Sequence, residues 1–288
     1  MTDIGEGWQV ARRRKGTSKK YTSHQVSPDS KCLKEHLDVG QFIKRIKNIM
    51  SDLRFEEFCK EWQEQLLVAA STSPLKTAEN SNAEDRKDQV CHQLQCVCYG
   101  LGSFTTCVSA RYQLAMLLML LEARQIPLLD CSVYDPVFSC GERDVLKELG
   151  LNVLTGNEEG KHLVTKPTLF YMMHCGKALY NNLLWRNWSA QSLSQVLIIG
   201  NTFSGMRERS IEREFKQDYR YISEAVDLCE EKQLPCPSSL IDVFSDTALI
   251  TFPSSSLSRL PQSSWVDSPE PQYQHCPDLE IILRESQS

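Results

Sequence analysis

The residues best able to do chemistry in this chain gather where apolar runs stop. Leu94–Tyr99 runs into Gly100-Leu-Gly-Ser103, a glycine turn that opens the long apolar stretch 105–122. Such a turn lets a ligand approach the main chain. The helix after it offers free N–H groups and the positive end of its dipole, which suits a phosphate or nucleotide. The third glycine of the dinucleotide fingerprint would fall at Thr105, so the turn equally serves to pack helix on strand. Asp135, in Tyr134-Asp-Pro136, can hold two ribose hydroxyls, although it lies farther past Gly102 than the roughly 20 residues usual for that motif. The alternative is an Asp-Pro turn whose carboxylate takes nearby backbone N–H groups.

His174 and Cys175 follow the apolar run Leu169-Phe-Tyr-Met-Met173. An unperturbed imidazole titrates near about 6.5, so His174 suits a general base or a metal ligand, or else bonds across the strand end. Cys175 is a nucleophile if the helix beginning at Gly176 stabilises its thiolate, and a buried thiol otherwise. Gly200-Asn201-Thr202 completes the set. Candidates for holding a cofactor, S-adenosylmethionine or another nucleotide, are therefore Gly100, Gly102, Ser103, Asp135 and Asn201. Cys236 and Cys276 each precede a proline, which keeps a thiolate accessible enough to ligate haem iron or merely marks a turn. Cys91-His92, Cys96 and Cys98 do not match structural zinc spacing, and no metal site is assigned.

These residues act together only if the strands carrying them lie side by side and point the same way. Strands are expected at 94–99, 128–134, 151–154, 168–173, 195–200 and 247–252, and helices at 105–122, 142–149, 176–187 and 209–232. The last helix would align Ile211, Phe215, Tyr219, Ile222, Val226 and Cys229 along one face. Continuous apolar strands such as Val196-Leu-Ile-Ile199 indicate burial on both faces, hence a mostly parallel sheet between helices. The expected fold is α/β, a three-layer Rossmann-like core over 90–252. In such a sheet, ligands bind beyond the carboxyl ends of the strands, where the polar residues above stand.

Residues 37–89 form a helical extension and linker. Phe42, Ile46 and Ile49 mark one helix, Ser51 is placed to cap a second that carries Phe55, Phe58, Cys59, Trp62 and Leu66, and 71–88 is polar. Residues 1–36 and 253–288 are expected to be disordered. The second holds nine serines and five prolines in 36 residues, too few apolar positions for another layer. Six positive charges crowd into Arg12–Lys20. Without them the net charge of −5 becomes −11, so direct nucleic-acid binding is not expected outside that leader. Scattered cysteines, no secretory leader and no apolar run long enough to span a bilayer point to a cytoplasmic and nuclear protein with no membrane contact. Ser27-Pro and Ser268-Pro permit phosphorylation.

The ordered blocks Tyr99-Gly-Leu-Gly-Ser-Phe104, Val133-Tyr-Asp-Pro-Val-Phe138, Asn157-Glu-Glu-Gly160, Thr168–Gly176, Leu179-Tyr-Asn-Asn182 and Ile199-Gly-Asn-Thr-Phe203 are informative together. Through them the chain resembles the "sensitivity to red light reduced" (SRR-like) domain family over about 90–252. Met173 stands where members usually carry proline before the His-Cys pair. The resemblance implies a regulator that works through protein partners in circadian clock gene expression and haem biosynthesis. It carries no catalytic assignment. The competing expectation is a cryptic S-adenosylmethionine-dependent methyltransferase or other nucleotide-using enzyme. Cys98 stands two before Gly100, where methyltransferases often place an acid.

Overall fold

Apolar side chains alternate across each central strand, and both faces of the sheet are covered by helices. The computed structural model describes residues 37–72, 94–265, 269–273 and 281–282. The basic leader Arg12–Lys20, Cys276, Ser27, Ser268 and nearly all of the polar linker lie outside these residues. The strands are β1 Gln95–Tyr99, β2 Cys131–Tyr134, β3 Asn152–Val153, β4 Thr168–Met172, β5 Val196–Asn201, β6 Glu230–Gln233 and β7 Thr247–Thr251. Their spatial order is β3-β2-β1-β4-β5-β7-β6. The first five run parallel, with Cys96 beside both Cys131 and Leu169, while β7 is antiparallel to β5 and to β6.

The helices are α1 Val39–Leu53, α2 Glu57–Thr72, α3 Val108–Ala123, α4 Cys140–Glu148, α5 Lys177–Arg186, α6 Ala190–Leu193, α7 Phe203–Glu208, α8 Glu212–Asp218, α9 Arg220–Ala225, α10 Ile241–Phe244 and α11 Ser254–Leu257. Cys96, Cys98, Leu169, Tyr171 and Leu197 point toward α1 to α4 and α10, where Trp62 meets Phe244 edge-on at 5.3 Å between ring centres. Val97, Tyr99, Phe170, Met172 and Ile198 point the other way, toward α5, α7, α8 and α9. The three-layer, mostly parallel α/β core follows directly from this two-sided burial.

Several local expectations need correction. The single helix over 209–232 is two short helices and a strand: the chain leaves helical geometry at Tyr219 (φ −126°, ψ 49°), and Glu230–Gln233 pairs with β7. Phe215, Tyr219 and Ile222 are buried as the stripe required, but Ile211 is 66% exposed. β6, Glu-Glu-Lys-Gln, has no apolar signal because it is a solvent-facing edge strand, where charges discourage further pairing. Ser51 does not cap α2. It lies inside α1, whose N-cap is Asp38, and its hydroxyl bonds the Lys47 carbonyl. The segment 128–134 begins as a 3₁₀ turn, and only 131–134 is strand. Beyond Phe252, α11 and Tyr273 pack on the core with Ser256, Leu257 and Tyr273 buried, so the described part of this tail is folded. Leu257 and Tyr273, isolated among serines and prolines, supply the anchoring that composition alone hides.

Candidate functional site

The glycine turn after β1 is fastened from two sides. Gly100 and Gly102 both adopt left-handed backbone geometry, φ +66° and +78°, which only glycine enters without strain. A Cβ on Gly100 would lie 2.5 Å from the Cys175 sulfur, so the β1 turn and the β4 turn touch at this point. Gly102 donates its N–H to Asp135 Oδ2 at 2.8 Å, and Asp135 Oδ1 accepts from Val137 N–H at 2.9 Å. Asp135 thus makes the local Asp-Pro turn and also ties the β1 turn to the exit of β2. It is 6% exposed.

Glu142, fully buried at the start of α4, was not singled out from sequence, yet it organises the same turn. Its Oε1 accepts from Ser103 Oγ at 2.8 Å, Thr105 N–H at 2.9 Å and Thr105 Oγ1 at 3.0 Å. Its Oε2 accepts from Ser139 N–H at 2.9 Å, which closes a capping box. Burial opposes charge on this carboxyl, but the bonds from Ser139, Thr105 and Ser103 outweigh it and hold its pKa below the ordinary value. The Ser139-x-x-Glu142 spacing was the available signal. Ser103 and Gly102 thus build the turn through these bonds.

His174 takes the left-handed φ of +53°, uncommon for a residue with a side chain, and is exposed. Its Nε2 is 3.0 Å from the Val243 carbonyl on α10. Cys175 Sγ bonds the Tyr99 carbonyl at 3.3 Å. Two small cavities meet at this His-Cys pair. One, of about 290 Å3, is lined by Tyr99, Gly100, Asp135, Asn157, His174 and Cys175 among others. The other, of about 220 Å3, is lined by His174, Cys175, Lys177, Asn201, Met206 and Arg209. The structure thus brings Gly100, Asp135, His174, Cys175 and Asn201 to one sheet edge, as expected for residues at parallel strand exits. A larger hollow of about 1020 Å3, between α1 and the far end of α3, lies at the opposite ends of the strands and holds none of these residues.

The loop before β4 together with Ile281 and Ile282 forms the remaining wall. Tyr99 and His162 both bond the carboxylate of Glu158. Asn157 Nδ2 donates to the Ile282 carbonyl at 2.6 Å, and Ile281 and Ile282 line the cavity of about 290 Å3. On the far side, Tyr180 bonds the Met172 carbonyl and accepts from Asn201 N–H at 3.0 Å. Burial pushes the Tyr180 phenol well above its ordinary range, so it stays protonated as a structural donor. Cys236, the described one of the two Cys-Pro thiols, bonds the carbonyls of Pro237 and Leu240 at 3.5 Å each. Desolvation raises its pKa, and ligating iron would require giving up both bonds. Among the described residues, no group of three or more His, Cys, Asp or Glu is placed to hold a metal ion.

The SRR1 domain family model matches residues 62–251, which span the sheet and every strand exit described above. The chain belongs to the SRR1 domain family. It is 44% identical over 200 residues to an SRR1-like protein of Mus musculus, covering 64% of this chain and 80% of that one. To an SRR1-like protein of Drosophila melanogaster it is 29% identical over 261 residues, covering 89% and 86%. The Arabidopsis thaliana protein SENSITIVITY TO RED LIGHT REDUCED 1 is 39% identical over 117 residues, 41% of this chain and 42% of that one. No solved structure matches the chain. The SRR1 match reaches back to Trp62, so it includes part of α2, whose Trp62 indole donates to the Pro235 carbonyl at 2.8 Å. Among the described residues, no helix is long and apolar enough to cross a membrane.

Proposed function

We propose that this chain is a regulatory protein whose Rossmann-like core binds a small ligand at the paired cavities. Its regulatory output is clock gene expression and haem biosynthesis, exercised in cytoplasm and nucleus through protein partners. The family match over 62–251 carries this reading, and the plant relative's name, which refers to red light, supports it. The test is depletion of the protein in cells carrying a rhythmic luciferase reporter, with haem measured in parallel. A changed period or amplitude and a changed haem level, restored by the wild-type chain, are expected. Normal rhythm together with normal haem sinks the reading.

The ligand part rests on separate ground, the convergence of Gly100, Asp135, His174 and Asn201 at one edge. A thermal-shift screen of S-adenosylmethionine, nucleotides, dinucleotides and haemin tests it. A ligand at 100 times its Kd stabilises by about 2.7 kcal/mol. Gly100→Val, which fills the space against Cys175, should abolish any such shift. No response to any compound favours action through partners alone.

The sheet order favours a second reading. β3-β2-β1-β4-β5-β7-β6 with only β7 reversed is the order of S-adenosylmethionine-dependent methyltransferases, an analogy at the level of fold alone. Against it, position 98 is a cysteine and offers no carboxylate to the ligand's amine, and both oxygens of Asp135 already accept backbone N–H groups. Radiolabelled methyl transfer to cell extract by wild type and not by Gly100→Val would establish this reading.

A further inference from the structure

The smaller cavity differs in chemistry from its neighbour. Its wall draws basic side chains from three separate places: His174 from the turn after β4, Lys177 from the first position of α5, and Arg209 from the end of α7. Asn201 adds an amide, and Met206 forms the apolar side. One carboxylate stands beside this group. Asp246 Oδ2 accepts from Arg209 Nη2 at 2.6 Å, and its Oδ1 accepts from Thr202 Oγ1 at 2.8 Å. That pair fixes the guanidinium at the cavity wall and cancels one of the positive charges. Lys177 lies over the Tyr219 ring at 5.4 Å, a cation–π contact that limits where its ammonium moves.

Two features make this arrangement costly for a merely structural role. A lysine at the first position of a helix faces the positive end of the helix dipole, and α5 carries no acidic residue in its first turn to offset it. His174 meanwhile holds a left-handed backbone that residues with side chains seldom adopt. Local rules broken together at one spot mark a place shaped for something besides packing.

We infer that the cavity bounded by His174, Lys177, Asn201 and Arg209 is an anion subsite for the phosphate of a small phosphorylated ligand. The body of that ligand, a nucleoside by its fit to a glycine turn, occupies the adjoining cavity at Gly100. This second half rests on the ligand-pocket reading above. Size agrees. A water occupies about 30 Å3, so 220 Å3 admits a phosphate with part of its hydration shell. Neither cavity alone reaches the roughly 300–1,000 Å3 of ordinary small-molecule sites, and the two share His174 and Cys175 in their walls.

The test titrates inorganic phosphate, adenosine and adenosine 5′-monophosphate into the full chain at constant ionic strength, with chloride as the balancing anion. Tm and phosphorus NMR line width are both followed. Phosphate should raise Tm and broaden its line saturably, Lys177→Gln should weaken this about tenfold, and Lys177→Arg should keep most of it. Lys177 makes no ion pair among the described residues, so folding of these variants is expected, and the line width reports binding independently of stability. No response from the wild type, or an equal response from Lys177→Gln, overturns the subsite. The monophosphate should bind more tightly than either adenosine or phosphate. Equal binding of adenosine and its monophosphate also overturns the subsite while leaving the pocket reading intact. Equal binding of phosphate and monophosphate keeps the subsite and removes the nucleoside from the adjoining cavity.

Discussion

Glu142 is the residue on which the glycine turn depends most. Four donors converge on its carboxylate, and each bond to a charged acceptor is worth more than a neutral one. Glu142→Gln keeps the shape but presents an amide to donors, and should cost about 2 kcal/mol in urea unfolding at neutral pH. The difference is pH-dependent in a defined direction. Because the folded pKa is lowered, the stabilisation is fully present above the unfolded carboxyl value, about 4.3, and disappears as pH falls through the folded value. Wild type and variant should therefore converge in stability as pH drops below about 4. A gap that persists at acid pH would show that charge is not what Glu142 contributes. Gly100 offers a second check. Gly100→Ala should destabilise by more than about 1 kcal/mol, from left-handed strain plus contact with the Cys175 sulfur. Cys175→Ala in the same chain should return only the contact share, and a strictly additive double-mutant cycle would deny that the two turns touch.

At the scale of elements, the edge strand β6 does more than close the sheet. Glu231 bonds Phe203 N–H and Ser204, placing a carboxylate at the N-terminus of α7, where free N–H groups and the helix dipole favour it. Glu231→Ala should cost about 1 kcal/mol and speed hydrogen exchange in Phe203–Glu208 without changing exchange in β1 or β4. Uniform acceleration across the sheet would mean β6 is needed for the whole fold. Tyr273 plays a similar part for residues 269–273, since its hydroxyl meets Asn182 Oδ1 at 2.7 Å and Asn181 Nδ2 at 3.0 Å. Tyr273→Phe should lower stability in urea unfolding by about 1–2 kcal/mol; an unchanged midpoint would argue that the ring alone secures it.

For the molecule as a whole, the distribution of cysteines makes a prediction about reactivity. Cys107 and Cys140 are exposed, while Cys96 and Cys98 sit at the centre of the sheet. Burial pushes Cys59 up to about 12, aided by Glu56, and pushes Cys229 up to about 12, aided by Glu231; the Cys98 thiol is raised well above its ordinary value by the same desolvation. Thiolate is the reactive form, so brief alkylation of the native protein at pH 8 should mark Cys107 and Cys140 and spare Cys59, Cys96, Cys98 and Cys229. Peptide mapping by mass spectrometry reads this directly. Native labelling of Cys96 as fast as Cys140 would contradict the two-sided burial on which the fold rests.

Much of this was legible before any coordinates. Apolar runs with polar residues at their ends are a one-dimensional record of a parallel sheet, because strands buried on both faces must be apolar throughout and ligand chemistry must wait for their exits. That pattern places Gly100, Asp135, His174, Cys175 and Asn201 at strand exits, where they stand. The Ser139-x-x-Glu142 spacing signals only a capping box; that Glu142 also binds Ser103 and Thr105, in a different strand exit, no local pattern records. The same holds for β6, whose Glu-Glu-Lys-Gln is polar like any loop until β7 arrives to pair with it, and for Tyr273, whose hydroxyl has meaning only beside Asn181 and Asn182. The amino-acid sequence by itself determined which segments are apolar enough to be buried and therefore the class of fold. Only tertiary structure decided which polar groups meet, since those meetings depend on how β1, β2, β4 and β5 stack side by side and not on distance along the chain.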